Sequence, residues 1–114
     1  MKVAVIGSRG LTVDHLERYL PEGTTEIVSG GAAGVDTSAK KYAQANGIKL
    51  TEFLPDYKSY GRRAPLVRNL EIIDYADQVL AFWDGASRGT VHVIKNCREK
   101  GKKVTVYQNA TATS

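Results

Sequence analysis

The chain has 114 residues, of which 42% are hydrophobic and 25% are charged, and its formal net charge is +4. This length fits one domain, and the composition excludes a disordered or fibrous chain. No apolar run is long enough to span a membrane, so no membrane partner is expected. The mild positive charge suits an anionic ligand, either a small phosphate or a nucleic acid strand, and is equally typical of a basic solvated surface.

Strands and helices are predicted to alternate along the whole chain. In chain order we predict a strand at 3–6, a helix at 14–20, a strand at 25–28, a helix at 34–46, a strand at 49–54, a loop at 56–64, a helix starting at Pro65, a strand at 78–83, a helix at 90–100 and a strand at 103–107. This alternation predicts one Rossmann-like three-layer α/β/α domain over residues 1–107, with a parallel five-stranded sheet. Residues 108–114 are small and polar and are expected to form a flexible tail.

The cysteine and histidine content is low. The single Cys97 excludes an intrachain disulfide and favours a reducing compartment, so a cytoplasmic protein is predicted. Cys97 falls on an apolar helical stripe and is expected to fill the core. His15 and His92 are single residues in predicted helices, where surface or packing roles are expected. No His or Cys pair has zinc spacing, and neither a metal nor another cofactor is expected.

Three glycine-rich loops follow the first, second and fourth predicted strands. Bare backbone can approach a phosphate closely, and a helix N-terminus offers free N–H groups to an anion. Arg9 can pair with a phosphate, whereas Asp36 either complements the helix dipole or binds a ribose hydroxyl. Asp84 or Ser87 can equally be a cap or turn residue. The candidate ligand-binding residues in these loops are Gly7, Ser8, Arg9, Ser29, Gly30, Gly31, Ala32, Gly34, Asp36, Asp84, Gly85, Ser87, Gly89 and Thr90.

The helix that starts at Pro65 adds two candidate ligand-binding residues, Arg68 and Asn69. Arg62, Arg63 and Arg68 either form an anion-facing patch or lie on an ordinary solvated surface. Asn69 either points to the site or belongs to the outer face of the helix. The inner face of this helix is expected to consist of Leu66, Leu70 and Ile73.

The loops also favour one strand order. In a sheet of order 3-2-1-4-5, strands two, one and four are neighbours, so the three loops meet at one edge. In the order 2-1-3-4-5, strand three would separate them. Because ligands of open parallel sheets bind at the carboxyl ends of strands, near the switch in strand order, we predict 3-2-1-4-5.

Two common nucleotide-binding motifs are missing. A dinucleotide fingerprint needs Gly-x-Gly-x-x-Gly after the first strand, but the chain has Gly-Ser-Arg-Gly at 7–10. A phosphate-binding P-loop needs Gly-Lys-Ser/Thr, and the sequence at 34–36 is Gly-Val-Asp. These departures argue against a hydride-transferring dehydrogenase and against a Walker-type nucleotidase.

The loop sequences together resemble one superfamily. Gly-Ser-Arg at 7–9, Val-Ser-Gly-Gly-Ala-Ala-Gly-Val-Asp at 28–36, Arg-Asn at 68–69 and Gly-Thr at 89–90 resemble the SLOG superfamily, above all its short stand-alone bacterial and phage members. That group joins the Rossmann domain of DNA-processing protein A with the Lonely Guy enzymes. The resemblance covers roughly residues 1–107 and implies a Rossmann-like fold that recognises nucleotides or their derivatives. Some members are thought to sense ADP-ribose-like signals.

Three functional hypotheses follow from the loops and the resemblance. The first is a non-catalytic sensor or sequestering protein for a phosphate-bearing, nucleotide-derived small molecule. The second is a Lonely Guy-like hydrolase of the N-glycosidic bond of nucleoside monophosphates. The resemblance places Val93 where that signature has its glutamate, which favours a binder, unless Asp36, Glu71 or Asp84 supplies the carboxylate.

The third hypothesis is single-stranded DNA binding, because 29–36 resembles the DNA-processing pattern Ser-Gly-x-Ala-x-Gly-Ile-Asp. Base stacking on such a strand needs aromatic side chains, and Tyr57 and Tyr60 are the only loop candidates. These tyrosines can equally stack on the base of a small ligand or pack the loop. Small stand-alone domains of this type often pair through their helices, so a homo-oligomer is a further expectation.

Overall fold

Five parallel strands form the centre of the structure, a computed structural model that describes residues 1–108. The strands are β1 (Lys2–Gly7), β2 (Glu26–Ser29), β3 (Lys49–Glu52), β4 (Gln78–Trp83) and β5 (Val104–Gln108). They form one sheet in the order β3-β2-β1-β4-β5, with every neighbouring pair parallel, which confirms the predicted fold class and strand order.

Four α-helices connect the strands. They are α1 (Val35–Asn46), α2 (Tyr57–Tyr60), α3 (Ala64–Tyr75) and α4 (Arg88–Lys100). Within residues 1–108, no helix combines the length and the apolar character needed to cross a membrane. Gln108, the first residue of the predicted tail, still pairs with Trp83 in β5, and residues 109–114 lie outside the described part of the chain.

Both faces of the sheet are buried, which explains why β1 is a continuous apolar run. Successive side chains of a strand point to opposite faces. Val3 and Val5 therefore pack in the cluster that contains the buried stripe of α1, whereas Ala4 and Ile6 pack in the cluster that contains α3 and α4. Cys97 is fully buried in this second cluster, as predicted, and burial raises the pKa of its thiol to about 11.

Two predicted elements are wrong in detail. The helix predicted at 14–20 is only a 3-10 turn at Leu16–Arg18. His15, just before this turn, has a left-handed φ of 56° and so cannot belong to a helix. The loop predicted at 56–64 contains α2 and a 3-10 turn at Gly61–Arg63. The Asp56 side chain accepts a hydrogen bond from the backbone N–H of Ser59 and so caps α2.

The predicted end of β3 and the predicted inner face of α3 also need correction. β3 ends at Glu52 rather than at residue 54, and Leu54 is exposed. In α3, Ile73 is buried as predicted, but Leu70 is only partly buried and Leu66 is exposed. The buried residues of this helix are Ala64, Asn69, Ile72 and Ile73.

A polar cluster at the amino end of β2 joins two strands and a helix. Glu26 is largely buried, and its Oε2 atom accepts hydrogen bonds from Thr51 Oγ1 at 2.6 Å and from the Tyr75 hydroxyl. Lys49 Nζ lies 3.6 Å from the other carboxylate oxygen. The hydrogen bond from Thr51, then that from Tyr75, lowers the pKa of Glu26 below its ordinary value. The ionised carboxylate therefore stabilises the attachment of β3 and α3 to β2.

Replacing Glu26 by glutamine is expected to reduce the acid sensitivity of the fold. Because the pKa of Glu26 is lower in the folded chain, its contribution is complete above the unfolded value of about 4.3 and is lost as the pH falls through the folded value. Urea unfolding from about pH 7 to about pH 3 should show a stability difference between wild type and variant that is largest near neutrality. A difference that stays constant across this range would contradict the assignment.

Candidate functional site

A cleft of about 410 Å³ opens where β1, β2 and β4 end, and α3 and α4 supply further walls. Its buried lining residues with apolar side chains are Ile6, Ile72 and Val93, which we call the cleft floor. The predicted site residues that line the cleft are Gly7, Arg9, Gly30, Ala32, Asp36, Arg68, Asn69, Asp84, Ser87, Gly89 and Thr90. The structure thus brings all three loops and α3 to one place, as the strand order requires.

The other predicted site residues, Ser8, Ser29, Gly31, Gly34 and Gly85, do not line the cleft. Ser8 is buried, and its Oγ atom accepts a hydrogen bond from the backbone N–H of Asp84 at 3.1 Å. Ser29 is also buried, and its Oγ atom accepts from the backbone N–H of Gly31 at 3.2 Å. Both serines therefore stabilise the loops by accepting backbone N–H groups. Their sequence positions alone did not distinguish this role from contact with a ligand.

Two glycines allow the first two loops to pack against each other. A Cβ atom on Gly34 would lie 2.3 Å from the carbonyl oxygen of Arg9, and the residue has a φ of +73°. A Cβ atom on Gly7 would lie 2.4 Å from the carbonyl oxygen of Phe82. Because both obstacles are backbone atoms in packed elements, neither can move aside easily. These glycines determine how closely the walls of the cleft approach.

The loop before α1 is partly satisfied by side chains of the protein itself. The Oδ2 atom of Asp36 accepts a hydrogen bond from the backbone N–H of Ala32 at 3.1 Å. The loop at 29–36 was expected to offer free N–H groups to an anion, but this carboxylate and Ser29 Oγ take two of them. The loop therefore offers fewer free N–H groups than expected and adds a carboxylate to the cleft lining, while α1 itself has no side-chain cap.

The second oxygen of Asp36 has no partner. Asp36 is only 5% exposed, and among residues 1–108 nothing donates a hydrogen bond to its Oδ1 atom. Burial raises the pKa of Asp36, opposed by the N–H of Ala32 and by the charge of Arg68. A buried acceptor without a donor is costly unless a ligand or water supplies one. The cleft is therefore lined by a carboxylate that still lacks a donor for one of its oxygens.

Arg68 is held in place beside Asp36. Its Nη1 atom donates to the carbonyl oxygen of Gly30 at 2.7 Å, and its Nε atom donates to Asn69 Oδ1 at 3.0 Å. A Cβ atom on residue 30 would lie 2.6 Å from Nη1, so the guanidinium occupies the space that this glycine leaves free. Asn69 is buried, lines the cleft and lies 3.4 Å from His92 Nδ1 through its amide nitrogen.

The remaining predicted basic residues do not join this arrangement. Arg62 and Arg63 are exposed and do not line the cleft, so Arg68 is the only member of the predicted patch that does. His92 is partly buried against Asn69, and burial lowers the pKa of its imidazole. Glu71, one of the three candidate carboxylates, is exposed and also lies outside the cleft lining.

The start of α4 resembles that of α1, since neither helix has a side-chain cap and a carboxylate accepts loop N–H groups before each helix. The Oδ1 atom of Asp84 accepts hydrogen bonds from the N–H groups of Ala86 and Ser87, both at 2.8 Å, and these lower the pKa of Asp84. The Ser87 side chain does not cap the helix, and the first N–H groups of an α-helix have no acceptor within the helix. Gly89 and Thr90, in this first turn, line the cleft opposite Asp36.

Arg9 lines the cleft, and Trp83 supports the turn before α4. Arg9 is exposed, so its guanidinium is available to an anion in the cleft. The Nε1 atom of Trp83 donates to the carbonyl oxygen of Ser87 at 3.2 Å and anchors the turn before the helix. The cleft thus has two chemically different ends, one suited to an anion and one to a hydrogen-bond donor.

A comparison with protein families adds an independent finding. Residues 1–60 match the family described as YAcAr: YspA, cpYpsA-related SLOG family. The chain belongs to this family. The match confirms the SLOG resemblance and covers the loops after β1 and β2, whereas the part of the SLOG cleft made by α3 and α4 lies beyond the matched residues. Comparisons with curated proteins and with solved structures find no match.

Sequence reasoning missed several residues that line the cleft. These are Gly10, Pro65, Leu66 and the three floor residues. Gly10 belonged to a loop already singled out, so its position was a usable signal. The floor residues gave no such signal, because a buried apolar residue beneath a ligand has the same sequence pattern as one beneath another helix.

Proposed function

We propose that this SLOG domain binds a phosphate-bearing, nucleotide-derived small molecule in the cleft and acts as a non-catalytic sensor or sequestering protein. One observation carries the proposal: Asp36, whose Oδ1 atom is buried without a donor, lines the same cleft as the first turn of α4, which has no side-chain cap. The first turn of α4, with Gly89 and Thr90, suits a phosphate, and Arg9 lines the same cleft. Asp36 Oδ1 suits a sugar hydroxyl. Nucleotide derivatives carry both groups on one molecule.

The floor of the cleft favours binding over hydrolysis. Val93 lies at the position that the Lonely Guy resemblance assigns to a glutamate, and it is buried and apolar. Of the other candidate carboxylates, Asp36 and Asp84 line the cleft, and Asp84 Oδ1 already accepts two backbone N–H groups. Among these carboxylates, hydrolysis of an N-glycosidic bond therefore depends on Asp36 or on the second oxygen of Asp84. Release of free base from AMP by wild-type protein, absent in Asp36→Ala, would favour the hydrolase instead.

Replacing Arg9 by glutamine is expected to weaken ligand binding about 10- to 100-fold, because a charge-assisted hydrogen bond to phosphate is lost. Calorimetry with AMP, ADP-ribose and cyclic ADP-ribose isomers measures the effect. Arg18→Gln is the matched control, since Arg18 is also an exposed arginine but lies outside the cleft lining. Absence of binding to every nucleotide in the panel would refute the proposed function, and equal losses in the two variants would refute the phosphate position.

A further inference from the structure

Exposed apolar side chains are concentrated beside the cleft. Within residues 1–108, the large exposed hydrophobic residues are Leu54, Tyr57, Tyr60, Leu66 and Val91. All except Val91 fall within 54–66, the stretch that leads from β3 through α2 into α3. Leu54 is 64% exposed and Tyr57 is 57% exposed, although both are large enough to contribute to a core. Clusters of this kind on a small domain commonly mark a binding surface.

This apolar patch is continuous with the cleft. Leu66 belongs to both, since it lines the cleft and is exposed. The Tyr57 hydroxyl lies near enough to the Arg68 guanidinium to act on its pKa. Leu54 Cδ2 would lie 2.5 Å from a Cβ atom on Gly31, the residue after cleft-lining Gly30. The patch therefore borders the end of the cleft that contains Asp36 and Arg68.

The strand order places three chemical environments in a row. Neighbouring strands lie about 4.8 Å apart, so the loop after β3 lies about 14 Å from the loop after β4 across the sheet. The open N-terminus of α4 follows β4, Asp36 follows β2, and the apolar patch follows β3. From β4 towards β3, the order across the sheet is therefore the anion site, the hydroxyl site and the exposed aromatic surface.

We propose that the Tyr57 side of the cleft is the base subsite of a nucleoside phosphate, bound with its phosphate at α4 and its sugar at Asp36. This inference rests on the proposed function, because the phosphate determines which end of the ligand reaches α2. A base offers a flat π-face to an exposed tyrosine ring and to Leu54 and Leu66. A single-stranded nucleic acid needs successive aromatic platforms along a groove, whereas this patch has two tyrosines in one short helix.

The test compares ligands with and without a base. Calorimetry of the full chain with AMP and with ribose 5-phosphate is expected to show about 5- to 150-fold tighter binding of AMP, the range found for stacking of one base. Tyr57→Ala should reduce AMP affinity to nearly that of ribose 5-phosphate and leave ribose 5-phosphate unaffected. Tyr57→Phe, which keeps the ring, should retain AMP binding.

The possible outcomes separate the two proposals. Equal binding of AMP and ribose 5-phosphate by wild type, or equal losses for both ligands in Tyr57→Ala, overturns the base subsite and leaves the phosphate site standing. Tighter binding of a short single-stranded oligonucleotide than of AMP also overturns it, in favour of a strand. If neither AMP nor ribose 5-phosphate binds, the base subsite fails, and the ADP-ribose measurements decide whether the phosphate site stands.

Discussion

Replacing Gly34 by alanine is expected to destabilise the domain by about 2–5 kcal/mol, through steric overlap and backbone strain together. The added Cβ atom would lie 2.3 Å from the carbonyl oxygen of Arg9, and alanine would have to adopt a φ of +73°. For a domain of this size, the melting temperature should fall by about 10 °C or more. Thermal unfolding followed by circular dichroism measures the effect.

Two other glycines separate the causes. Gly23 has a φ of +87°, but a Cβ atom there would meet nothing within 4 Å, so Gly23→Ala tests strain alone. Gly10 also has open space and lacks a positive φ, so Gly10→Ala should be nearly neutral. If Gly34→Ala loses no more stability than Gly23→Ala, the contact between the first two loops is not rigid. The spacing of the cleft walls would then not depend on Gly34.

Replacing Asp36 by asparagine is expected to raise the free energy of unfolding at neutral pH while weakening AMP binding by about tenfold or more. The pKa of Asp36 is raised in the folded chain, chiefly by burial. The folded state then binds more protons than the unfolded state, so stability falls as the pH rises from the unfolded value of about 3.9 to the folded value. Asparagine carries no charge and avoids this loss.

Asp84 provides a matched control with the opposite sign. Hydrogen bonds from the N–H groups of Ala86 and Ser87 lower its pKa, so Asp84→Asn should destabilise the domain at neutral pH. Urea unfolding of both variants near pH 7 and near pH 3 separates the two effects, which should shrink at the lower pH. Asp36→Asn should leave the affinity for inorganic phosphate unreduced. A destabilised Asp36→Asn with unchanged AMP affinity would show that Asp36 only stabilises the loop before α1.

Much of the fold could be predicted from the sequence because local patterns and global architecture agree. Apolar runs of four to six residues require a sheet covered on both faces, and the matching glycine loops indicate which strands are neighbours. The fourth strand was predicted with the observed limits, 78–83. The first helix was predicted incorrectly because His15 adopts a left-handed φ just before Leu16, and although histidine is enriched in this conformation, such residues are too rare for the sequence to predict one.

The candidate site was predictable only in outline. Glycine positions indicated which loops meet, but not that Asp36 and Asp84 would accept N–H groups of the loops before α1 and α4. These hydrogen bonds depend on how two side chains turn within similar strand–loop–helix connections. The cleft floor depends on how far α3 and α4 separate near β1, which is a property of the packed domain. Leu66, expected on the inner face of α3, lines the cleft and is exposed.

The hydrogen bond from Trp83 to the turn before α4 has a practical consequence. Trp83 is the only tryptophan in the chain, and its indole N–H donates to the Ser87 carbonyl beside the open end of the cleft. Indole emission depends on hydrogen bonding and on nearby charge. If an anion binds at α4, the emission of Trp83 is expected to shift, so binding can be followed without any attached dye.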